Sequence, residues 1–483
     1  MYYLSDNPRA GRKKATYYVK DFSGGAETQT DERIKPLSYA SELINFSCVS
    51  GALKDGGGVK PATLGVSANI PYVPGTFPKR LYYFKTYNET AGSYEDLLLM
   101  FCPSGGSGYV YKANLTKNTA FSRVNDLFFS SVPTAVRYTY NGKNVIIFSA
   151  DGENMKIYDG ETVETVSDAP AVTSMCIHGE RLFATEAGEK TALWFSDDFD
   201  PANWDISLSE AGFIDLKDER GNLLKVVEFG GYVYVFRTYG ITRITAYGDQ
   251  TEFAADGLSA SSGKIYGDSV TCCGDKIIYL AEDGFYCFTG GAPQRFLERF
   301  DEYFAGVDNS GAKGVYYNGE LFVILKANFP ESGLKNAVLR YNFATKSAVF
   351  LVGFEISDMV VIDGETDYKL IMIAGKTALG EFQKKSDYFG ASVEKVWRGG
   401  FCDLGKPEVE KTISGISLFA DKKTTVLIKS ERGEKTVVFA GSDKDVFKKV
   451  SLKGKAFSFT IKNSQAESKT ARLKIHFEYG DRL

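Results

Sequence analysis

A hairpin signature recurs along the middle of this chain at a spacing of about 40 to 50 residues, the length of a propeller blade. In each copy, a turn that contains Gly is followed by a burst of Val, Ile, Tyr and Phe. The turns are Asn141-Gly142, His178-Gly179, Gly230-Gly231, Gly274-Asp275, Asn318-Gly319 and Asp363-Gly364. A single antiparallel unit of this kind cannot bury both of its faces, so neighbouring units have to stack. The repeat therefore predicts a β-propeller, in which the units close into a ring.

The composition favours an all-β protein. Aromatic residues make up 14% of the chain, and Gly accounts for 49 of its 483 residues. Aromatic side chains suit pleated sheets, and Gly suits the turns between strands. We predict an N-terminal arm and entry segment over residues 1–78 and a propeller of roughly six to seven blades over residues 79–395. A C-terminal β domain that resembles a β-sandwich follows over residues 396–483, where short runs such as Arg472–Phe477 alternate apolar and polar residues.

Two helices are predicted within this β framework. A short helix fits between Ile34 and Phe46. A second fits Gln294–Ala305, because four aromatic residues there recur at helical spacing. We expect the second helix to fill space between blades.

The chain is expected to stay out of membranes. No stretch approaches the ~20 apolar residues that cross a bilayer. Residues 1–20 carry charges with no apolar run after them, so no secretory signal is expected. The seven cysteines are odd in number and scattered, and several lie in apolar strands, which predicts buried free thiols.

Charge is unevenly distributed along the chain. Residues 1–20 contain five Lys or Arg and one acidic residue. Residues 403–483 contain seventeen Lys or Arg and eleven acidic residues. These ends carry +4 and +6, so the central residues carry −14 of the total of −4. Basic ends of this kind are suited to docking on acidic neighbours, while an acidic centre repels nucleic acid. Ordinary solubility charge is the alternative explanation.

Candidate chemistry is sparse, and we assign no catalytic, cofactor-binding or metal-ligating residue. The densest polar group is Ser196–Trp204, which we interpret as a structural turn anchored by Trp204. A calcium site and a sialidase-like turn remain alternatives for it. The calcium ligands would be Asp197, Asp198, Asp200 and Asp205. A sialidase-like enzyme would also need an arginine cluster and an acid–nucleophile pair that the sequence does not show. We therefore expect no enzyme and no cofactor.

Three stretches resemble the β-propeller tail hub or nozzle proteins of tailed bacteriophages, particularly short-tailed ones. The first stretch comprises Asp21–Gly25, Ala40–Phe46 and Gly51–Leu53. The second comprises Trp194–Asp197, Pro201–Trp204, Gly212–Leu216, Val226–Phe229 and Val233–Phe236. The third comprises Trp397-Arg398, Phe401–Gly405 and Glu410-Lys411. One departure is Ala26, where related openings usually carry Leu followed by Asn.

The resemblance implies a virion structural protein that forms a ring of copies, commonly six, below the portal. Such a ring would contact the portal or adaptor and other tail proteins, and phage DNA would pass through its lumen without sequence-specific binding. Assembly in the host cytoplasm and a final place in the virion tail are implied as well. The alternative is a propeller that recognises a host-surface glycan or partner protein through acidic loop residues and exposed aromatics such as Trp194 or Tyr239. A glycan-cleaving propeller is the third possibility.

Overall fold

The structure is a computed structural model that describes residues 13–19, 21–31, 35–62, 77–260, 263–364, 368–375 and 377–480. The protein is almost entirely β, as the composition predicts. It divides into two compact units that interleave along the chain. The first unit comprises Met1–Val59, Ala327–Gly353 and Gln383–Leu483, and the second comprises Lys60–Lys326 and Phe354–Phe382. The three-part division at residues 78 and 395 stays a prediction, and these units divide the chain differently.

Short strands make up the N-terminal segment. They are β1 (Lys13–Val19), β2 (Gly25–Ala26), β3 (Tyr39–Ala40), β4 (Glu42–Ile44), β5 (Phe46–Ser47), β6 (Lys54–Asp55) and β7 (Gly58–Pro61), with a 3-10 turn over Val49–Gly51. The helix predicted within Ile34–Phe46 is wrong for the described residues, because β3, β4 and part of β5 occupy that region. All three residues of β4 are buried, so tertiary pairing decides the conformation there.

Five four-stranded antiparallel sheets follow, and in each of them the strands lie side by side in chain order. The first sheet contains β8 (Arg80–Asn88), β9 (Ser93–Ser104), β10 (Ser107–Asn114) and β11 (Ser122–Phe129). The second contains β12 (Thr134–Tyr140), β13 (Lys143–Ser149), β14 (Met155–Tyr158) and β15 (Val163–Val166). The third contains β16 (Val172–His178), β17 (Arg181–Glu186), β18 (Ala192–Phe195) and β19 (Gly212–Asp215). The fourth contains β20 (Leu223–Phe229), β21 (Tyr232–Arg237), β22 (Gly240–Thr245) and β23 (Ala254–Ala260), and the fifth contains β24 (Thr271–Cys272), β25 (Ile277–Ala281), β26 (Gly284–Phe288) and β27 (Gln294–Phe296). Short 3-10 turns cover Gln250–Glu252 and Gly267–Ser269.

The helix predicted over Gln294–Ala305 is only partly present. Residues Gln294–Phe296 form β27, Glu298–Phe300 form a 3-10 turn, and only Asp301–Phe304 are α-helical (α1). Leu297 interrupts the helical path with a left-handed φ of 59°. Phe300, Tyr303 and Phe304 are buried, so these aromatic side chains pack in the core although the helix is short, while their place between blades stays a prediction.

The next strands begin in the second unit and continue into the first. They are β28 (Lys313–Tyr317), β29 (Glu320–Phe329), β30 (Gly333–Asn342) and β31 (Ser347–Val352). The boundary between the units falls inside β29. A further antiparallel set follows, made of β32 (Ile356–Asp363), β33 (Tyr368–Ala374) and β34 (Ala378–Gln383). We call the sheet that begins with β28 the sixth sheet and the one that begins with β32 the seventh.

The sheets of the second unit pack on each other in sequence through their first strands, and β32 of the seventh sheet returns to contact β8 of the first. Apolar side chains fill the spaces between successive sheets. Where the seventh sheet meets the first, Ile371 and Ile373 pack in one cluster with Leu98 and Met100. Each side chain of this size that is fully buried contributes about 1.5–3 kcal/mol. This cyclic order is consistent with a β-propeller.

A segment from the N-terminal side of the chain lies along β34 in the second unit. The Ala62 N–H donates to the Leu379 carbonyl at 3.1 Å, and the Lys60 ammonium lies 2.9 Å from the Glu381 carboxylate. The seventh sheet therefore combines strands from late in the chain with residues from before the first sheet.

The first unit contains the remaining strands. They are β35 (Asp387–Tyr388), β36 (Ala391–Ser392), β37 (Lys395–Arg398), β38 (Lys411–Ala420), β39 (Thr424–Ser430), β40 (Gly433–Phe439), β41 (Val446–Gly454), β42 (Phe457–Asn463) and β43 (Thr470–Tyr479). One sheet has the order β1-β43-β38-β41, and a second contains β31-β4-β37-β42-β39-β40. The alternation predicted for residues 472–477 is confirmed, because Leu473, Ile475 and Phe477 are buried on one side of β43.

Candidate functional site

The predicted Gly turns define one end of the ring of sheets. Asn141-Gly142, Gly230-Gly231 and Asn318-Gly319 each connect the first strand of a sheet to its second, and both residues of each pair have positive φ. This is the backbone of the two-residue turns that favour Asn-Gly and Gly-Gly. We call the end of the ring that carries these turns the first-turn end. The first strands begin at the opposite end.

A charge network crosses the end where the first strands begin. The Lys313 ammonium lies 3.0 Å from the Asp358 carboxylate, and the Arg80 guanidinium lies 2.8 Å from the Asp268 carboxylate. Asp358 is buried, and its desolvation raises the pKa of the carboxyl although Lys313 and Arg80 oppose this. Arg80 is the first residue of β8 in the first sheet, and Asp268 lies in the 3-10 turn that precedes β24 of the fifth sheet. Their contact therefore joins sheets that are not neighbours in the ring.

This network was not among the predictions from the sequence, although the sequence contains a signal for it. A charged residue comes just before the apolar run of three first strands. Arg80 and Asp358 directly precede such a run, and one residue separates Lys313 from the next. Charged residues at corresponding positions of successive repeats indicate a shared location at one end of a ring.

A broad depression of about 870 Å³ lies at the first-turn end. The first strands and turns of four sheets line it, together with one loop. Its polar and aromatic lining includes Lys85, Arg137, Tyr138, Asn144, His178, Glu180, Phe199 and Glu228. The Tyr138 hydroxyl donates to the Glu180 carbonyl, and burial raises the pKa of Tyr138, so this phenol stays protonated. The depression thus offers hydrogen-bonding groups of both charges beside the exposed Phe199 ring.

The polar run Ser196–Trp204 is a structural turn, as predicted. Trp204 is 3% exposed, and its indole N–H donates to the Pro201 carbonyl at 2.9 Å. Asp197 accepts the amide of the Asn203 side chain at 2.9 Å and the backbone N–H of Glu210 at 3.1 Å. Bonds from the Ser207 hydroxyl and backbone N–H lower the pKa of Asp205. No group of three His, Cys, Asp or Glu that could hold a metal ion occurs among the described residues. Oxygens of Asp197, Asp200 and Asp205 accept hydrogen bonds within the loop.

The two aromatic residues predicted as binding contacts lie apart. Trp194 is only partly exposed in β18, donates its indole N–H to Glu186 at 2.8 Å and contacts the Phe213 ring with 5.1 Å between centroids. Tyr239 is 43% exposed in the turn between β21 and β22. In an antiparallel sheet this second turn lies at the end opposite to the first turn, so Tyr239 does not join the depression.

The cysteines are free thiols, most of them buried, and the histidines lie in strands. Five of the seven cysteines are buried, Cys287 is half-buried and Cys272 is exposed, and all seven are free thiols. His178 ends β16, and His476 lies within β43. Both ring nitrogens of His476 meet hydroxyls, with Thr16 at 3.0 Å and Ser417 at 2.9 Å. No helix in the described part of the chain has the length and apolar character to span a bilayer.

Segments from the two ends of the chain meet in one buried junction of the first unit. The Phe22 and Trp397 rings pack edge to face with 5.0 Å between centroids, and the Ser41 N–H donates to the Arg398 carbonyl at 2.8 Å. Asn45 has a left-handed φ of 57° and is 1% exposed. Its amide nitrogen donates to the carbonyls of Val352 and Glu394, and its amide oxygen accepts the Val352 N–H. Segments near residues 22–45 and 394–398 therefore come together around Trp397 and Asn45.

No protein-family model matches this chain. No curated protein matches it either. Among solved structures, the chain is similar to Kluyveromyces lactis Hsv2, with 8% identity and a TM-score of 0.33. That alignment covers 58% of this chain and 98% of Hsv2. A likeness of this size supports no conclusion about function.

Proposed function

We propose that this protein is a structural component of a bacteriophage tail, a hub or nozzle that assembles into a ring of copies below the portal. The observation that supports the proposal most directly is the buried junction in the first unit. The segments around Phe22, Asn45 and Trp397 are far apart in the chain, yet they form one packed core. A resemblance carried by such residues concerns the architecture itself and not a single exposed loop.

The proposal includes a finer description of the fold. The second unit is a propeller of seven blades, closed by the residues at Lys60–Ala62 beside β34. The first unit carries a β-sandwich whose two sheets include the C-terminal strands β37–β43. In this role the protein supplies shape and contacts to its neighbours and catalyses no reaction.

The DNA path in this proposal lies between copies of the chain. Arg80 of the first sheet pairs with Asp268, which precedes the fifth sheet, so side chains connect sheets that are not neighbours, and we place no DNA path within a single copy. The second unit contains 25 Lys or Arg and 40 Asp or Glu, a net charge of −15. A lumen lined by this unit binds few phosphates tightly, because each neutralised phosphate adds salt-sensitive affinity. DNA therefore slides through it.

Imaging of virions and of the purified protein tests the proposal. We expect a closed ring by electron microscopy and native mass spectrometry, with six copies, and antibody labelling at the tail below the portal. We also expect weak binding of the ring to duplex DNA at physiological salt. A protein that is absent from purified virions would overturn the virion assignment. Tight duplex binding by an isolated ring would overturn only the claim that DNA slides through a lumen lined by the second unit.

A binding module is the second candidate, and the depression at the first-turn end favours it. Phe199 is 67% exposed beside Arg137 and Glu228, a combination of an aromatic face and charged hydrogen-bonding groups that suits a glycan. A glycan array probed with the wild-type protein and with Phe199→Ala tests this candidate. Binding that the variant loses, with Phe213→Ala as the matched control that keeps it, supports the binding module. An array without signal rejects it.

A further inference from the structure

The loop of residues 196–211, between β18 and β19, presents apolar side chains to solvent. Leu208 is 88% exposed, Phe199 67% and Ile206 55%. Phe213, which follows in β19, is 50% exposed. Scattered apolar residues on a surface are ordinary, but four within fifteen residues concentrate exposed apolar side chains in one short part of the chain, as interaction sites do.

This loop is held in place from within. Trp204 is anchored in the core between the second and third sheets. Arg181 is 5% exposed, and it donates to the carbonyls of Ser196 and Glu210 at 3.2 and 3.0 Å. These contacts fix both ends of the loop, so the exposed side chains cannot turn inward without breaking them. A preorganised surface of this kind loses little entropy on binding.

The part of the chain that contains the loop is strongly acidic. Residues 151–219 contain seventeen Asp or Glu and four Lys or Arg, a net charge of −13. Two of the four basic residues, Lys156 and Arg181, are buried and bonded to backbone carbonyls. Nearly all of the −15 of the second unit therefore belongs to this part of the chain.

The first unit carries the opposite charge. It contains 32 Lys or Arg and 21 Asp or Glu, a net charge of +11. Ten of the basic residues and only four acidic ones lie in residues 422–455, which span β39 to β41 and which we call the basic segment. Lys448, Lys449 and Lys453 of β41 are exposed, and no described residue forms an ion pair with them. Phe447 and Val438 of the same segment are 55% and 46% exposed.

We propose that the basic segment of one copy binds the 196–211 loop of a second copy. Each surface combines exposed apolar side chains with a charge of one sign, and the two signs are opposite. Complementary potentials of this kind steer association and fix its register. The proposal rests on the ring of the proposed function and adds which two surfaces form it.

The contact joins two different surfaces, so it is heterologous. Every copy then offers one free loop and one free basic segment, and successive copies add until the ring closes. A polyanion such as DNA on the basic segment is the competing occupant. It would leave the exposed Leu208 and Ile206 uncovered, which is why a second copy fits the observations better.

Two variants each remove one half of the contact. Lys448→Glu with Lys449→Glu reverses the basic surface, and Leu208→Arg places a charge of the wrong sign for the basic segment on the loop. All three positions are exposed, so the fold should survive. Lys335→Glu with Lys384→Glu changes the net charge of the first unit equally outside the basic segment, and Leu334→Arg is the matched control for Leu208, because Leu334 is 58% exposed.

Mass photometry of the full chain gives the readout. We expect the wild-type protein and both controls to form rings that dissociate as salt rises, because exposed charges are screened within about 8 Å at physiological salt. The protein with Lys448→Glu and Lys449→Glu, and the protein with Leu208→Arg, should each be monomeric when alone, with self-association weakened about tenfold or more. An equimolar mixture of the two should give one-to-one dimers and no ring, since it contains one intact pair of surfaces.

Several results would overturn the inference. Rings formed by either variant alone place the contact elsewhere, while the proposed hub function stands. A mixture that stays monomeric rejects the pairing of these two surfaces. If the wild-type protein itself is monomeric and is found in virions only as single copies, the ring and this contact both fail. If Lys448→Glu with Lys449→Glu abolishes duplex binding but leaves the ring intact, the basic segment serves DNA instead.

Discussion

Lys313 and Asp358 form an ion pair where two neighbouring first strands begin, with 3.0 Å between the Lys313 Nζ and the Asp358 Oδ1. The other carboxylate oxygen accepts the backbone N–H of Leu81 at 2.6 Å. Lys313 belongs to the sixth sheet, Asp358 to the seventh and Leu81 to the first. One buried carboxylate therefore joins three sheets at the place where the ring closes.

Replacing this carboxylate should cost much of the stability of the second unit. Asp358→Ala leaves the Lys313 ammonium and the Leu81 N–H without their buried partner, so we expect the free energy of unfolding to fall by about 3–5 kcal/mol. Chemical denaturation followed by tryptophan fluorescence measures the change. Asp363→Ala is the matched control, because Asp363 pairs with Arg137 at an exposed site and its loss should cost about 1 kcal/mol or less.

A double variant separates the ion pair from the backbone bond. Lys313→Met alone removes the ion-pair partner of Asp358, and Asp358→Asn alone removes that of Lys313. Asp358→Asn with Lys313→Met keeps a hydrogen-bond acceptor for Leu81 and removes both charges. We expect the double variant to lose less than the two single variants together. Strictly additive losses would show that the pair is not coupled.

In the turn at Gly179-Glu180, Glu180 adopts a left-handed backbone conformation that Gly would adopt at lower cost. Glu180 has a φ of 63°, although the equivalent second positions of the turns at residues 141–142 and 318–319 carry Gly. Non-Gly residues pay a steric cost in this conformation, so Glu180→Gly should raise the free energy of unfolding by about 0.5–1 kcal/mol. The bond from Tyr138 goes to the backbone carbonyl of Glu180 and remains. Thermal unfolding checks this, with Gly142→Ala as the converse change that should destabilise.

Much of the architecture follows from short-range signals in the sequence. The Gly turns were predictive because a two-residue turn with two positive φ angles restricts residue choice within the turn itself. The apolar bursts after them were predictive because strands buried on both faces need no polar alternation. The extent of the predicted helix at Gln294–Ala305 failed for the opposite reason. Its helical spacing of aromatics is real, but Gln294–Phe296 gain more by pairing with β26 as a strand.

The interleaving of the units and the candidate surfaces were much harder to predict. The strand β4 joins β31 and β37, which lie about three hundred residues later, and no local pattern encodes such a partner. The sequence showed that charge is unevenly distributed along the chain. It did not show which charged residues belong to which unit, because the units interleave. Among the predicted site residues, Trp204 was correctly placed as an anchor because buried Trp in an Asp-rich turn has few alternatives. Trp194 and Tyr239 were chosen by residue type, which does not indicate the end of the sheet on which they lie.

Thiol reactivity tests the packing of the cysteines. Burial raises the pKa of Cys102 and of Cys273 to about 12, so at pH 8 only about one such thiol in ten thousand is ionised. Cys272 is exposed, and we expect it to react first with a disulfide reagent. Cys272→Ser should remove the fast phase, and denaturant should release all seven thiols. Rapid modification of Cys102 in the native protein would contradict its buried position.

The pH dependence of the first unit should depend on His476. Burial lowers the pKa of this imidazole below its ordinary value of 6.5, and the nearby Lys474 lowers it further. Between the lowered value and 6.5 the folded state binds fewer protons than the unfolded state, so the stability contributed by neutral His476 is complete above 6.5 and is lost as the pH falls through this range. Because Thr16 of β1 contacts His476, amide hydrogen exchange in Lys13–Val19 should accelerate as the pH falls from 7.5 to 5, after correction for the intrinsic rate. His476→Asn should remove that dependence, and Lys474→Gln should move its midpoint to higher pH. If β1 is equally protected at both pH values in the wild-type protein, His476 does not control the pairing of this strand.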